Sequence, residues 1–262
     1  MSYRKHKFEG INFRLSGEGD QVVVFLHGFL GDLTIWNSFA GGLKDNYTVL
    51  QIDLPGHGLS DTFGPVHSMP FMAEKIIALI DYLALTPVHL VGHSMGGYVA
   101  LSITEQSLNQ IASITLLNSN CNDDSPQKQK DRIRAIRLIE LSPELFVSEA
   151  INNLFMPKNL TQFDEEIMLL KNAALKIAST GAAPALRGMA ERKDMTSALT
   201  ELEIPILFLA GKYDNVIPIN SIQNNAKKSG AQLHVLEQTN HMAFLEEQSA
   251  TLQALCSFWQ NC

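Results

Sequence analysis

Apolar and polar residues follow two rhythms along this chain, and each predicts a different element. Phe8 is followed, beyond Glu9-Gly10, by Ile11, Phe13 and Leu15, a loose alternation about a glycine that predicts an antiparallel strand pair. Residues 21–27 instead form a continuous apolar run of strand length, as suits a strand covered on both faces. Similar runs stand at 47–52, 88–91, 111–117 and 206–210, with a shorter one at 233–236. Between them Met72, Ile76, Leu79, Ile80 and Leu83 recur near the helical period and predict a helix over 69–85. Further helices are expected over 95–105, 219–228 and 249–259. Strand and helix in alternation predict an α/β fold with an open, mostly parallel sheet and helices on both faces.

One stretch breaks the alternation. Residues 122–195 hold no strand-like run, only helical patterns over 131–141, 143–155 and 164–180, punctuated by Pro126, Pro143, Pro157, Gly181 and Pro184. The expectation is a core domain made of 1–121 and 196–262, with 122–195 inserted as a helical cap over the strand ends. A helical satellite that merely stabilises the core is the alternative. Position alone makes Leu154, Phe155 and Met156 the candidate substrate wall on the cap side.

Charge and composition narrow the field. With 20 Lys+Arg against 27 Asp+Glu the formal net charge is −7, which argues against a nucleic-acid partner. The basic clusters at 4–7 and 128–137 are short and read as solvated faces. The chain starts with positive charge but no apolar stretch behind it, so no signal peptide is expected. No apolar run approaches the ~20 residues that cross a bilayer, so no membrane partner is expected either. Cys121, Cys256 and Cys262 are read as free thiols in a reducing compartment, and the protein is expected in the cytoplasm as a monomer or homodimer. No spacing of His, Cys, Asp or Glu suggests a metal, and no glycine-rich nucleotide motif follows a strand; no cofactor is expected.

The strongest chemical signal is Gly92-His93-Ser94-Met95-Gly96, which follows the 88–91 run and opens a helix. A serine on a sharp strand-to-helix turn needs small neighbours, and there its hydroxyl projects beside the positive end of the helix. A serine needs a base, and the base an orienting acid. Asp214 follows the 206–210 strand, and His241 lies between the last strand and the last helix. The order Ser94, Asp214, His241 is that of a nucleophile, an orienting acid and a general base. Asp123 and Asp124, just past the 111–117 strand, are distant second candidates for the acid. His57, Asp53 and His27 read as loop-bracing residues, and His6, His67, His89 and His234 sit in no motif.

With these residues in place, the chain resembles the α/β-hydrolase-fold superfamily over essentially its whole length, in its serine carboxylesterase and thioesterase-like branch. His27-Gly28-Phe29 is similar to its oxyanion loop, the segment from Asp53 to Ser60 to its Asp-Pro-Gly-Gly-Ser loop, and Asp214 to Pro218 and His241 with Glu246 to its terminal motifs. The resemblance implies an α/β-hydrolase fold and an oxyanion hole built from the backbone N–H groups of Phe29 and Met95. It also implies a pocket lined by the Phe29 and Met95 side chains, with His93 beside them.

Reaction type is less determined, because this fold carries many chemistries. Dehalogenases and epoxide hydrolases of the superfamily use aspartate at the elbow, so Ser94 excludes them. His93 is common among its carboxylesterases and thioesterases, whereas carbon–carbon bond hydrolases often show Asn there, perhydrolases Phe and the menaquinone-pathway synthase Tyr. The expectation is acyl transfer on a small-molecule ester. A carbon–carbon hydrolase, a menaquinone-pathway-type lyase and a small-molecule receptor of the same fold stay open. A lyase acting on a di-acid would turn basic cap residues toward Ser94, and Arg132, Arg134, Arg137 and Arg187 are available.

Overall fold

The computed structural model describes residues 5–178 and 180–262. The first four positions of the expected core segment, Arg4 of the basic cluster among them, and Ser179 lie outside the described residues.

The buried apolar runs become strands because only a sheet covered on both faces can hide both sides of such a run. β1 (Lys5–Phe8) and β2 (Ile11–Ser16) form the antiparallel pair, turning at Glu9 and Gly10, both at positive φ. β3 (Gln21–Leu26), β4 (Tyr47–Ile52), β5 (Val88–His93), β6 (Ile111–Leu117), β7 (Ile206–Gly211) and β8 (Gln232–Leu236) run parallel. The order is β1-β2-β4-β3-β5-β6-β7-β8. The chain therefore winds outward from β3 in both directions. A crevice opens at the carboxyl ends of β3 and β5, where the order reverses.

Helices α1 (Asn37–Leu43), α2 (Met69–Leu83) and α3 (Met95–Ser107) cover the first half of the sheet. α2 starts where Ser68 caps Phe71 N–H, and ends short of the expected 85 because Ala84 turns left-handed at φ 52°. Trp36 is fully buried between Phe25 of β3, at a 4.8 Å ring separation, and Phe244, at 4.7 Å. Those stacked rings tie the centre of the sheet to the C-terminal part of the chain.

Between β6 and β7 lie α4 (Pro126–Leu141), α5 (Pro143–Asn152), α6 (Asp164–Ala178), α7 (Ala182–Ala190) and α8 (Thr196–Thr200). The helices differ from the sequence pattern in several places. α4 begins five residues early, since Pro126 occupies its first turn and the Ser125 hydroxyl accepts from Lys128 N–H at 3.2 Å. α7 is an unexpected helix: Pro184 sits in its first turn, and Gly188 lets it press on the backbone of His67 and Ser68. α5 stops at Asn152 instead of reaching 155. There the Asn153 carbonyl accepts from the Asn215 and Asn240 side chains at 2.9 and 3.1 Å, and the Phe155 carbonyl accepts from Asn240 at 2.9 Å. The chain closes with α9 (Ile219–Ser229), α10 (Ala243–Glu246) and α11 (Gln248–Trp259). No helix among the described residues is long and apolar enough to cross a membrane.

Several histidines are buried as structural braces. His27 Nε2 accepts Leu54 N–H at 2.9 Å, which leaves its Nδ1–H to donate to Gly28 O at 2.8 Å. His57 and His67 each place Nδ1 3.1 Å from Pro55 O. Asp53 accepts from Asn12 Nδ2, Leu33 N and Leu59 N within 2.8 Å, holding the same loop. Burial, helped by the charge of a neighbouring imidazole, pushes His57 and His93 down to about 3.

That depression has a sign. An unfolded imidazole takes a proton near pH 6.5, while these two stay neutral until about pH 3, so the unfolded state binds more protons in between. Stability is expected to fall as pH drops below about 6.5, by on the order of 4 kcal/mol for the two together at pH 5. Urea titrations at pH 7, 6 and 5 measure it. A flat profile over that window would contradict the neutral, buried state of these rings.

Candidate active site

Ser94 sits between β5 and α3 with φ 50° and ψ −114°, a backbone conformation that costs a non-glycine residue about 1–3 kcal/mol. The surroundings hold it there. Ser94 N–H donates to Leu117 O and Gly97 N–H to Ser94 O, both at 3.0 Å, and the Ser119 hydroxyl donates to Ser94 O at 2.8 Å. The tight crossing requires glycine on both sides. A Cβ at Gly92 would strike the Gly96 carbonyl, and one at Gly96 would strike the Leu26 carbonyl of β3. Leu30 and Asn118, beside Ser94, also adopt positive φ, so unfavourable backbone gathers at the crevice.

His241 comes from the loop after β8, and Asp214 from the loop after β7. His241 Nδ1 lies 3.0 Å from Asp214 Oδ1 and 2.9 Å from Oδ2, with both side chains almost fully buried. Because Asp214 only accepts, Nδ1 carries the hydrogen and Nε2 is left with a free lone pair. Asp214 is itself fixed: Oδ1 accepts from Val216 N and Ile217 N at 2.9 Å, and Oδ2 from Asn118 Nδ2 at 2.8 Å. Burial alone would raise this carboxyl, but the facing His241 and these donors hold it below the usual carboxylate value. His93 Nε2 donates to the His241 carbonyl at 3.0 Å, tying the elbow to the histidine loop.

Ser94 and His241 line one cavity of about 410 Å³, a size suited to a small-molecule site. Phe29 forms part of its wall. Gly28 allows its loop to come close, since a Cβ there would lie 2.6 Å from His93 Nδ1 and 3.3 Å from Ser94 Cβ. The Phe29 N–H has no acceptor among the described residues, and Met95 opens α3, where the first N–H groups lack intrahelical partners. The far wall comes from 122–195: Ile151 and Leu154 supply apolar surface, while Lys128, Arg132 and Arg192 supply charge.

The structure thus brings Ser94, His241, Asp214, Phe29, His93 and Leu154 together, but not every candidate. The Met95 side chain is fully buried in the core and leaves only its peptide group near Ser94. Phe155 is 1% exposed and packs on Phe163 at a 5.9 Å ring separation, away from the cavity. Met156 is not in the wall either; its N–H donates to Glu246 Oε1 at 2.7 Å. Both shifts follow from the early end of α5, which turns the chain toward the His241 loop. Asp124 pairs with Arg132 and Arg192 instead of His241, and Asp123 is exposed at the cavity. Of the four arginines considered, only Arg132 lines the cavity; Arg134 pairs with Asp131, and Arg187 donates to Pro65 O. No group of three or more His, Cys, Asp or Glu among the described residues could hold a metal.

Asn118, Asn240 and Glu246 complete the site. Glu246 accepts from Asn240 N, Met156 N and Asn159 Nδ2 within 2.8 Å, so one carboxylate joins the His241 loop to 156–159. The only forewarning of Asn118 was a polar residue ending the buried β6 run.

Comparison with known proteins agrees with this architecture. The chain is 28% identical over 258 residues to the dihydrolipoyllysine-residue acetyltransferase component of the acetoin cleaving system of Pseudomonas putida, covering 94% of this chain and 65% of that protein. It thus spans about two thirds of the length of that relative. It is 24% identical to a 2-hydroxy-6-oxononadienedioate/2-hydroxy-6-oxononatrienedioate hydrolase of Escherichia coli, covering 95% of this chain and 90% of that one. Among solved structures it is similar to a malate-bound thermophilic esterase from Thermogutta terrifontis, with a TM-score of 0.91, 28% identity and coverage of 99% and 97%. Residues 23–254 match the alpha/beta hydrolase family, and the chain belongs to it.

Proposed function

We propose that this protein is a serine hydrolase that cleaves carboxylic esters or thioesters of small to medium acyl groups. The observation that carries the reading is the His241 Nδ1 contact to both Asp214 oxygens, at 2.9 and 3.0 Å, beside a serine held at positive φ on the same cavity. His241 Nε2 takes the Ser94 proton as the Ser94 oxygen bonds to the substrate carbonyl carbon. The carbonyl oxygen becomes an oxyanion, received by the N–H groups of Phe29 and Met95, each worth roughly 3–4 kcal/mol to the transition state. Collapse breaks the bond to the leaving alcohol or thiol, which takes the proton from His241. Water then gives a proton to His241, attacks the acyl carbon and releases the acid, and the proton returns to Ser94. Asp214, ionised well below neutrality, holds the ring in the required tautomer and stabilises its cation.

In this reading 122–195 is a lid whose Ile151 and Leu154 bound the acyl group. The Escherichia coli relative supports a second reading, hydrolysis of a carbon–carbon bond at the same serine. A substrate screen across esters, thioesters, lactones and vinylogous ketoacids separates the two. Turnover of the ketoacids alone would replace the ester reading.

Ser94→Ala is expected to lower ester turnover by about 10⁴–10⁶-fold while leaving the melting temperature close to wild type. Asp214→Asn should cost on the order of 10⁴-fold at neutral pH, because the amide favours the wrong tautomer, whereas Asp123→Asn should cost little. Steady-state kinetics on a short nitrophenyl ester, with fluorophosphonate labelling of Ser94, checks both; an active, folded Ser94→Ala protein would sink the mechanism.

The lid can be tested with neighbouring residues. Leu154→Ala should shift acyl chain-length preference toward longer esters. Phe155→Ala should instead lower stability by about 3–5 kcal/mol with an unchanged profile. Chain-length profiles and denaturant midpoints on both variants decide it, and the reverse pattern would place Phe155 in the pocket.

A further inference from the structure

The cavity that holds Ser94 carries a concentration of positive charge that acyl transfer does not require. Asp124, 2% exposed, lies between the guanidinium groups of Arg132 and Arg192, whose side chains are 11% and 7% exposed. Arg132 places Nε and Nη2 on Asp124 and Nη1 3.3 Å from Met189 Sδ, so each of its three nitrogens has a partner. Arg192 gives Nε to Asn122 O at 3.0 Å, and Nη1 to Asp124 Oδ1 at 2.6 Å and to Met189 O at 3.0 Å. Its Nη2 has no acceptor among the described residues, although the side chain is more than nine-tenths buried and lines the cavity. The Lys128 ammonium, also on the cavity, has no acceptor there either. Partial burial, then the charge of Arg132, draws it below the usual lysine value.

This charge lines the same cavity as Ser94. The Arg192 guanidinium stacks over the Tyr98 ring, 4.1 Å from its centroid. Tyr98 is four residues beyond Ser94 on α3, an axial rise of about 6 Å, and both line the cavity. The charges also count. Three cations, Lys128, Arg132 and Arg192, face two anions, buried Asp124 and exposed Asp123, leaving one positive charge in surplus. Arg192 is a nearly buried cation with one nitrogen unpaired among the described residues, and the Lys128 side chain is exposed at the cavity, so both can meet an anion there.

We propose that the Arg192 Nη2 and Lys128 Nζ donors form a carboxylate subsite, so that the preferred substrate is an ester or thioester whose acyl part ends in a free carboxylate. This rests on the serine-hydrolase reading and adds the chemical class of substrate to it. A surplus of one charge matches a singly charged carboxylate better than a doubly charged phosphate, and the guanidinium edge left free suits a planar anion.

The test compares monomethyl esters of succinate, glutarate and adipate with the neutral esters in which a terminal amide replaces the carboxylate. In wild type, kcat/KM should favour the acid over its amide partner by tenfold or more for at least one length, and 0.5 M NaCl should erode that ratio. Lys128→Gln, which leaves both Asp124 ion pairs in place, and Arg192→Gln should each reduce the ratio at least fivefold. Equal or reversed preference at every length would overturn the subsite while leaving the esterase reading intact. If no ester is turned over, calorimetric titration of Ser94→Ala with glutarate and with glutaramide decides the subsite alone. Saturable glutarate binding that Lys128→Gln weakens, without glutaramide binding, upholds it, and absence of glutarate binding overturns it.

Discussion

Everything chemical in this molecule hangs on how closely α3 crosses the carboxyl end of β3. The helix begins immediately after a serine forced to φ 50°, and its first turn lies against the Leu26 carbonyl with no room for a Cβ at Gly96. A helix held further from the sheet would relax Ser94 and move it away from the loop of Gly28 and Phe29. The strain is balanced by two groups at the end of β6, the Leu117 carbonyl and the Ser119 hydroxyl. Strand order makes the crossing useful. With β4 on one side of β3 and β5 on the other, the crevice at the reversal is where the Phe29 and Ser94 loops meet.

The second dependence is the fixing of His241. The proposed proton transfer needs His241 in one tautomer and one orientation, and Asp214 provides both, itself kept ionised by its hydrogen bonds. Around that pair, Asn118 binds Asp214 and the Asn240 carbonyl, while Asn240 binds the Asn153 and Phe155 carbonyls. Glu246 adds the N–H groups of Asn240 and Met156. Segment 153–159 is therefore stitched to the histidine loop. A displacement of that segment would be felt at His241 before it was felt at Ser94, whose contacts lie within the core.

The chain as a whole is acidic at −7, yet its cavity wall holds two nearly buried arginines around one aspartate. Buried ion pairs of this kind contribute little net stability, because desolvation offsets most of the attraction. Their effect is to fix the guanidinium of Arg192 on Tyr98, in the wall of the cavity.

How much of this was legible in the chain varies with the range of the interaction that decides it. Strand and helix order, the glycine-flanked turn at Ser94 and the placement of Asp214 and His241 after strands follow from neighbours a few residues apart. A buried run must pair, and a tight turn admits only small residues. The length of α5 did not follow. Its continuation to 155 is cut off by Asn215 and Asn240, about 60 and 90 positions downstream, which bind the carbonyls of Asn153 and Phe155. That one change moves Phe155 and Met156 out of the cavity and leaves Leu154 in it. Asn118 and Arg192 were hidden for the same reason, as an asparagine at a strand end and an arginine near a helix end look like ordinary surface residues. Local pattern determined the elements and the places of Ser94, Asp214 and His241 at their ends. Only the packing of distant loops decided which polar groups hold them and which charges line the cavity, because hydrogen bonds between remote segments leave no periodic trace along the chain.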